Sequence, residues 1–94
     1  MLIQLKIKQK REVTSMKSTN IRLSSIQDVR NFVDIVSRYD ADIDLACGRY
    51  IVDAKSIMGI FSLDLLNPIK LTAQTENEAE LSKLFEEIKP FETK

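Results

Sequence analysis

Between Val36 and Ala41 the spacing of apolar residues changes period, and this change constrains the fold more than any other feature of the chain. Ile26, Val29, Phe32, Val33 and Val36 recur at helical spacing, which predicts a helix that buries this stripe and ends near Tyr39. From Asp40 the period is two. Ala41, Ile43 and Leu45 face one way, while Asp40, Asp42 and Asp44 face the other. A helix followed by a half-buried strand points to a sheet with one covered face and one face in water.

The remaining elements follow from the same two periods. Thr19-Asn20-Ile21-Arg22-Leu23 alternates and predicts a strand, and Ser24-Ser25-Ile26-Gln27-Asp28 carries the signal of a helix start. Cys47-Gly48 reads as a turn, after which Tyr50, Val52 and Ala54 continue the inward pattern on a returning strand. The run AKSIMGIFSLDL, from Ala54, is long enough for three helical turns and is closed off by Pro68. Ile69, Leu71 and Ala73 alternate as a last strand. Glu76 to Phe91 then spaces Leu81, Leu84, Phe85 and Ile88 as an amphipathic helix. The order β-α-β-β-α-β-α describes a single α+β domain, which suits a chain of 94 residues.

Composition limits the chemistry. The formal charge is zero, so no global field attracts nucleic acid or an anionic membrane, and no apolar run reaches spanning length. The single cysteine, Cys47, cannot form an internal disulfide and fits a reducing, cytoplasmic setting. Histidine is absent, which removes the commonest general base and the usual zinc ligand. No paired catalytic carboxylates or phosphate-cradling glycine loop appear, so the chain is expected not to be an enzyme and to need no cofactor or metal. Asp40, Asp42 and Asp44 fit a solvated sheet face better than a cation site, because alternate residues on a strand lie about 7 Å apart. Residues 1–15 differ from the rest, with Lys6, Lys8, Lys10 and Arg11 and no acid before Glu12. This extension fits a basic tail, or a translated leader in front of a natural start at Met16. The domain itself is expected over 16–94.

Two stretches together resemble a known family. Ser37-Arg38-Tyr39-Asp40-Ala41-Asp42-Ile43-Asp44-Leu45, followed by Asp53-Ala54-Lys55-Ser56-Ile57-Met58-Gly59-Ile60-Phe61-Ser62-Leu63, is similar to HPr, the phosphocarrier of the bacterial phosphoenolpyruvate:sugar phosphotransferase system. The resemblance implies an open-faced β-sandwich, a four-stranded antiparallel sheet covered on one side by three helices. It also locates the family's phospho-accepting histidine, which stands in a Gly-x-His-x-Arg-Pro context. Counting back from Ser56 without gaps, Ser25 takes the histidine's place and Gln27 the arginine's. Leu23 replaces the glycine and Asp28 the proline. A serine without an adjacent base is a weak nucleophile at neutral pH, so this degenerate position reads as a helix cap.

The family's second, regulatory site survives in this reading. Ser56 matches the serine that an ATP-dependent HPr kinase phosphorylates, at a helix start that favours a dianion. Lys55, Ile57, Met58, Gly59 and Phe61 match the family's partner-binding helix. Gly59 inside that helix costs about 1 kcal/mol against alanine, so close packing or a partner must require it. Three functions are compatible with these residues: a regulatory HPr relative of the histidine-less, catabolite-repression type, a phosphocarrier with a non-standard acceptor, and a protein-binding module that has lost both phosphorylation functions. The partners implied are an HPr kinase-like enzyme, a transcriptional regulator or a phosphotransferase-system component, with the chain itself a monomer or weak dimer.

Overall fold

A computed structural model describes residues 15–93. The expectations for the basic extension fall outside these residues, apart from Ser15. The elements run β1 (Ser15–Ile21), α1 (Ile26–Val36), β2 (Asp42–Cys47), β3 (Tyr50–Asp53), α2 (Ile57–Phe61), β4 (Ile69–Thr75) and α3 (Glu78–Glu87), with a closing 3-10 turn at Lys89–Phe91. The four strands form one antiparallel sheet in the order β1-β4-β2-β3. This is the α+β order expected from the two periods and the open-faced sandwich that the resemblance implies.

The alternation of β2 and β4 fixes which face is covered. Ile43 and Leu45 of β2 and Ile69, Leu71 and Ala73 of β4 are buried, and the three helices supply the other half of the core. Val29, Phe32 and Val36 come from α1, Ile60 from α2, and Leu81, Leu84 and Phe85 from α3. The open face consists of cross-strand rows: Met16–Gln74–Asp42, Ser18–Thr72–Asp44–Asp53, and Asn20–Lys70–Ala46–Ile51. Asp42 and Asp44 are therefore exposed side by side on it.

Several element boundaries depart from the pattern. α1 stops at Val36, where Ser37 N–H caps onto the Val33 carbonyl and Tyr39 N–H closes a turn onto Val36, delivering the Tyr39 ring into the core. Ile26 does not join the buried stripe. It occupies the first helical position and is 65% exposed. The second helix has five residues rather than three turns. Ser62 Oγ donates to the Gly59 carbonyl at 2.6 Å, and Asp64 then accepts from Leu66 N–H and Asn67 Nδ2, drawing the chain into a loop. Local side-chain bonds of this kind compete with helix continuation.

The hairpin register pairs Cys47 with Tyr50, so its tip is Gly48-Arg49, with Gly48 at the positive φ of 62° that favours glycine. Tyr50 follows the inward register but is exposed, because the hairpin tip projects past the edge of the core. β1 begins at Ser15 and ends at Ile21, earlier than its apolar alternation suggested, since its outward residues lie on the open face and need not be apolar. α3 is shorter than the amphipathic pattern because Asn77 caps its start and Pro90 falls in the closing turn. That turn is pinned by Phe91, whose ring meets Phe32 edge-on at 5.7 Å. No helix among the described residues is long and apolar enough to cross a membrane.

Candidate functional site

Two helix starts carry the residues singled out by the sequence. At the start of α1, Ser25 adopts an extended backbone and its Oγ accepts from Asp28 N–H at 3.0 Å. Asp28 reaches back to accept from the N–H of Ser24, the residue before the cap, at 3.0 Å, a variant of the capping box displaced by one residue. Gln27 points along the helix, donating to Asn31 Oδ1 at 3.0 Å, and takes no part in the cap.

At the start of α2, Ser56 is also extended and its Oγ accepts from Gly59 N–H at 3.1 Å. Ser56 as a residue is half-buried. Asp53 shapes the approach, its carboxylate accepting from Lys55 N–H at 2.9 Å and its carbonyl from Ser56 N–H at 3.0 Å. Gly59 sits in a tight gap, where any side chain would make its neighbours give way by a few tenths of an ångström. A Cβ placed there would lie 3.2 Å from Ser56 Oγ and 3.2 Å from Val52 Cβ. The glycine therefore lets the short helix approach β3.

The Lys55 ammonium turns inward and donates to the Tyr39 carbonyl at 2.6 Å. Tyr39 in turn donates its hydroxyl to the Glu87 carboxylate, and Arg38 pairs with the same carboxylate at 3.4 Å. Burial, reinforced by the Glu87 carboxylate, pushes the Tyr39 hydroxyl up to about 12. The Tyr39 hydrogen bond holds Glu87 below its usual value. The start of α2 is thereby tied through Tyr39 to the end of α3.

Of the remaining residues on α2, Met58 is 76% exposed and Phe61 is exposed at 43%, whereas Ile57 is half-buried against the core. Phe61 and Ser25 line one groove of about 540 Å³, with Ile26 and Leu66. Arg22 also lines it and donates to the Leu66 carbonyl at 3.2 Å. Sequence reasoning missed Arg22 and Leu66, which are 44 positions apart. No local spacing could have joined them, because they meet only once the strand and the loop are assembled. Cys47, at the base of the hairpin tip, faces the Asp64 carbonyl at 3.8 Å, outside this groove.

An open-faced sandwich with the order β-α-β-β-α-β-α and a serine-capped second helix is the architecture expected of an HPr-like domain. A family model described as "PTS HPr component phosphorylation site" matches residues 26–90. The chain belongs to the HPr family, whose members are phosphocarriers of the phosphotransferase system and not enzymes. Among solved structures, it is similar to HPr-C-His from Thermoanaerobacter tengcongensis, with 28% identity and a TM-score of 0.61 over 80% of this chain and 91% of that one. It is also similar to the phosphocarrier protein HPr from Bacillus anthracis str. Ames, with 29% identity and a TM-score of 0.56 over 76% and 92% of the two chains. A comparison with curated protein sequences found no match.

Proposed function

We propose that this protein is a regulatory, cytoplasmic member of the HPr family that receives phosphate on Ser56 and binds protein partners, rather than passing phosphoryl groups onward. The observation that carries this reading is the pairing of a chain without histidine with a half-buried cap serine at the start of α2. Ser25, at the place of the family's acceptor, is spent as a cap, and the matched span of the family begins one residue after it. Gln27 and Asp28 bring no cation to that helix start, and Asp28 adds a negative charge there. Ser56 keeps the donor arrangement in which a phosphoryl oxygen could replace the hydroxyl as acceptor of Gly59 N–H.

Met58 and Phe61 on α2, with Ile26 and Leu66 beside Phe61 along the groove, supply the apolar contact for a partner. The partner class is an HPr kinase-like enzyme for the modification and a transcriptional regulator or phosphotransferase-system component for the readout. Lys55 would act from behind this surface, since its ammonium is committed to Tyr39. The domain boundary belongs to the same reading, with the working unit in 16–94 and 1–15 as an extension.

The test is phosphorylation from two donors in parallel. With ATP and an HPr kinase, mass spectrometry should find one phosphate on Ser56 and none on Ser56→Ala. With phosphoenolpyruvate and the general transferase of the system, no label should be taken up. An unmodified Ser56 removes the regulatory reading, and transfer from phosphoenolpyruvate would establish a carrier with a non-standard acceptor.

A further inference from the structure

The two edges of the sheet are treated differently. Along β1, Thr93 N–H donates to the Asn20 carbonyl at 2.9 Å and Glu92 bridges to Ile21, so the chain's own C-terminal segment covers that edge. β3 forms the other edge, and no such segment lies on it among the described residues. In an antiparallel ladder, successive residues turn their backbone groups alternately toward and away from the partner strand. Ala54 N–H reaches the Ile43 carbonyl of the β2 side at 2.9 Å. Val52 and Tyr50 therefore also face β2, and Ile51 turns its N–H and C=O outward. The Ile51 side chain is 69% exposed as well. An uncovered edge of this kind is a template for another strand.

Charge selects which strand. Arg49 and Asp53 are both exposed and stand two residues to either side of Ile51. Asp53 lies directly opposite Asp44 in the β2–β3 register, a like-charge pair that weakens the sheet. Among the described residues, neither carboxylate nor Arg49 makes an ion pair. When the strand is reversed and laid beside a second copy of itself, with Ile51 opposite Ile51, each Arg49, in the turn that precedes Tyr50, is brought to the end of the other copy's strand that carries Asp53. Among the described residues, that carboxylate accepts only from the Lys55 N–H within its own chain. This register pairs Ile51 with Ile51 through their outward backbone groups, so both can exchange N–H···O bonds. Tyr50 then lies across from Val52. The charge pattern is self-complementary about a two-fold axis, which an unrelated extended peptide would match only by coincidence.

We infer that β3 is a self-recognition edge, at which two copies of the chain pair antiparallel about Ile51 and are closed by two Arg49–Asp53 ion pairs. The strand is only four residues long, so the contact is weak and reversible, with a dissociation constant of about 0.1–1 mM. It is independent of Ser56 and of the proposed regulatory role.

Sedimentation of the full chain from about 10 μM to 1 mM tests it. The weight-average mass should rise from 10.8 kDa toward twice that value. Arg49→Glu and Asp53→Lys, each alone, put like charges at both ion pairs and should weaken association by about tenfold or more. Mixing the two variants in equal amounts should restore it, because each supplies the sign that the other lacks. Asp53 also holds the turn before α2, so Arg49→Glu, which leaves that turn intact, carries the test should Asp53→Lys misfold. Ile51→Pro removes an outward N–H without breaking the β2 ladder and should abolish association. A chain that stays monomeric to 1 mM overturns the inference. So does a dimer indifferent to Arg49→Glu, or one not recovered by mixing two folded variants.

Discussion

The start of α1 and the start of α2 use the same cap but depend on it differently. Each is a serine in extended conformation accepting from the N–H three residues on, at 3.0 Å and 3.1 Å. At α1 the cap stands in solvent, backed by Asp28, ahead of an eleven-residue helix held by a buried stripe. At α2 the cap is half-buried and pressed against a glycine that is itself pressed against β3, ahead of a five-residue helix with one fully buried side chain. A long helix is secured by packing and its cap is an increment. A short helix cannot hold itself, so its start must fit the sheet.

The largest effect expected from this contrast is at Gly59. Gly59→Val should destabilise the protein by about 3 kcal/mol, because its branched side chain must displace both the Val52 Cβ and the cap hydroxyl. Gly59→Ala should still lose about 1 kcal/mol, the crowding outweighing a gain of about 1 kcal/mol in helix propensity. Urea unfolding measures both. An alanine variant more stable than the parent would show that the α2 start has slack and would erase the contrast.

How much was legible in the sequence follows the same division. Ile43 and Leu45, or Ile69 and Leu71, announce themselves because their strands are covered on one face and exposed on the other, and strict alternation is the only pattern that fits. The resemblance around Ser56 placed the second helix start correctly, and the structure supplies the reason for Gly59. The helix length did not follow, because termination rests on Ser62 and Asp64 bonding to nearby backbone, which hydrophobic spacing does not register. The groove was less legible still. Arg22 meets Leu66, and Lys55 meets Tyr39, only after the sheet is assembled.

That last contact gives the next prediction. Tyr39 anchors the α2 start by its carbonyl and the end of α3 by its hydroxyl, an attachment α1 lacks. Its folded-state pKa of about 12 lies above the ordinary value of 10.0, so the stabilisation is fully present below pH 10 and is lost as pH rises through 12. Glu87, held below its ordinary 4.5, contributes above that value and loses its contribution as pH falls through the lowered one. Tyr39→Phe should cost about 1–2 kcal/mol at neutral pH and flatten the alkaline decline in thermal stability. A parent protein whose stability does not fall between pH 10 and 12 would count against this anchor.

The smallest effect is also the most direct comparison of the two starts. Ser25→Ala and Ser56→Ala should each cost about 1 kcal/mol as lost caps, so single substitutions do not distinguish them. A double-mutant cycle with Gly59→Ala does. Removing the Ser56 hydroxyl takes away one of the two atoms that crowd position 59, so the pair Ser56→Ala and Gly59→Ala should cost about 0.5–1 kcal/mol less than the sum of its parts. Ser25 caps a different helix and does not touch Gly59, so its cycle should close to within about 0.3–0.5 kcal/mol. Equal coupling in the two cycles would mean that the crowding at Gly59 comes from Val52 alone. The cap of α2 would then be as independent of its surroundings as the cap of α1.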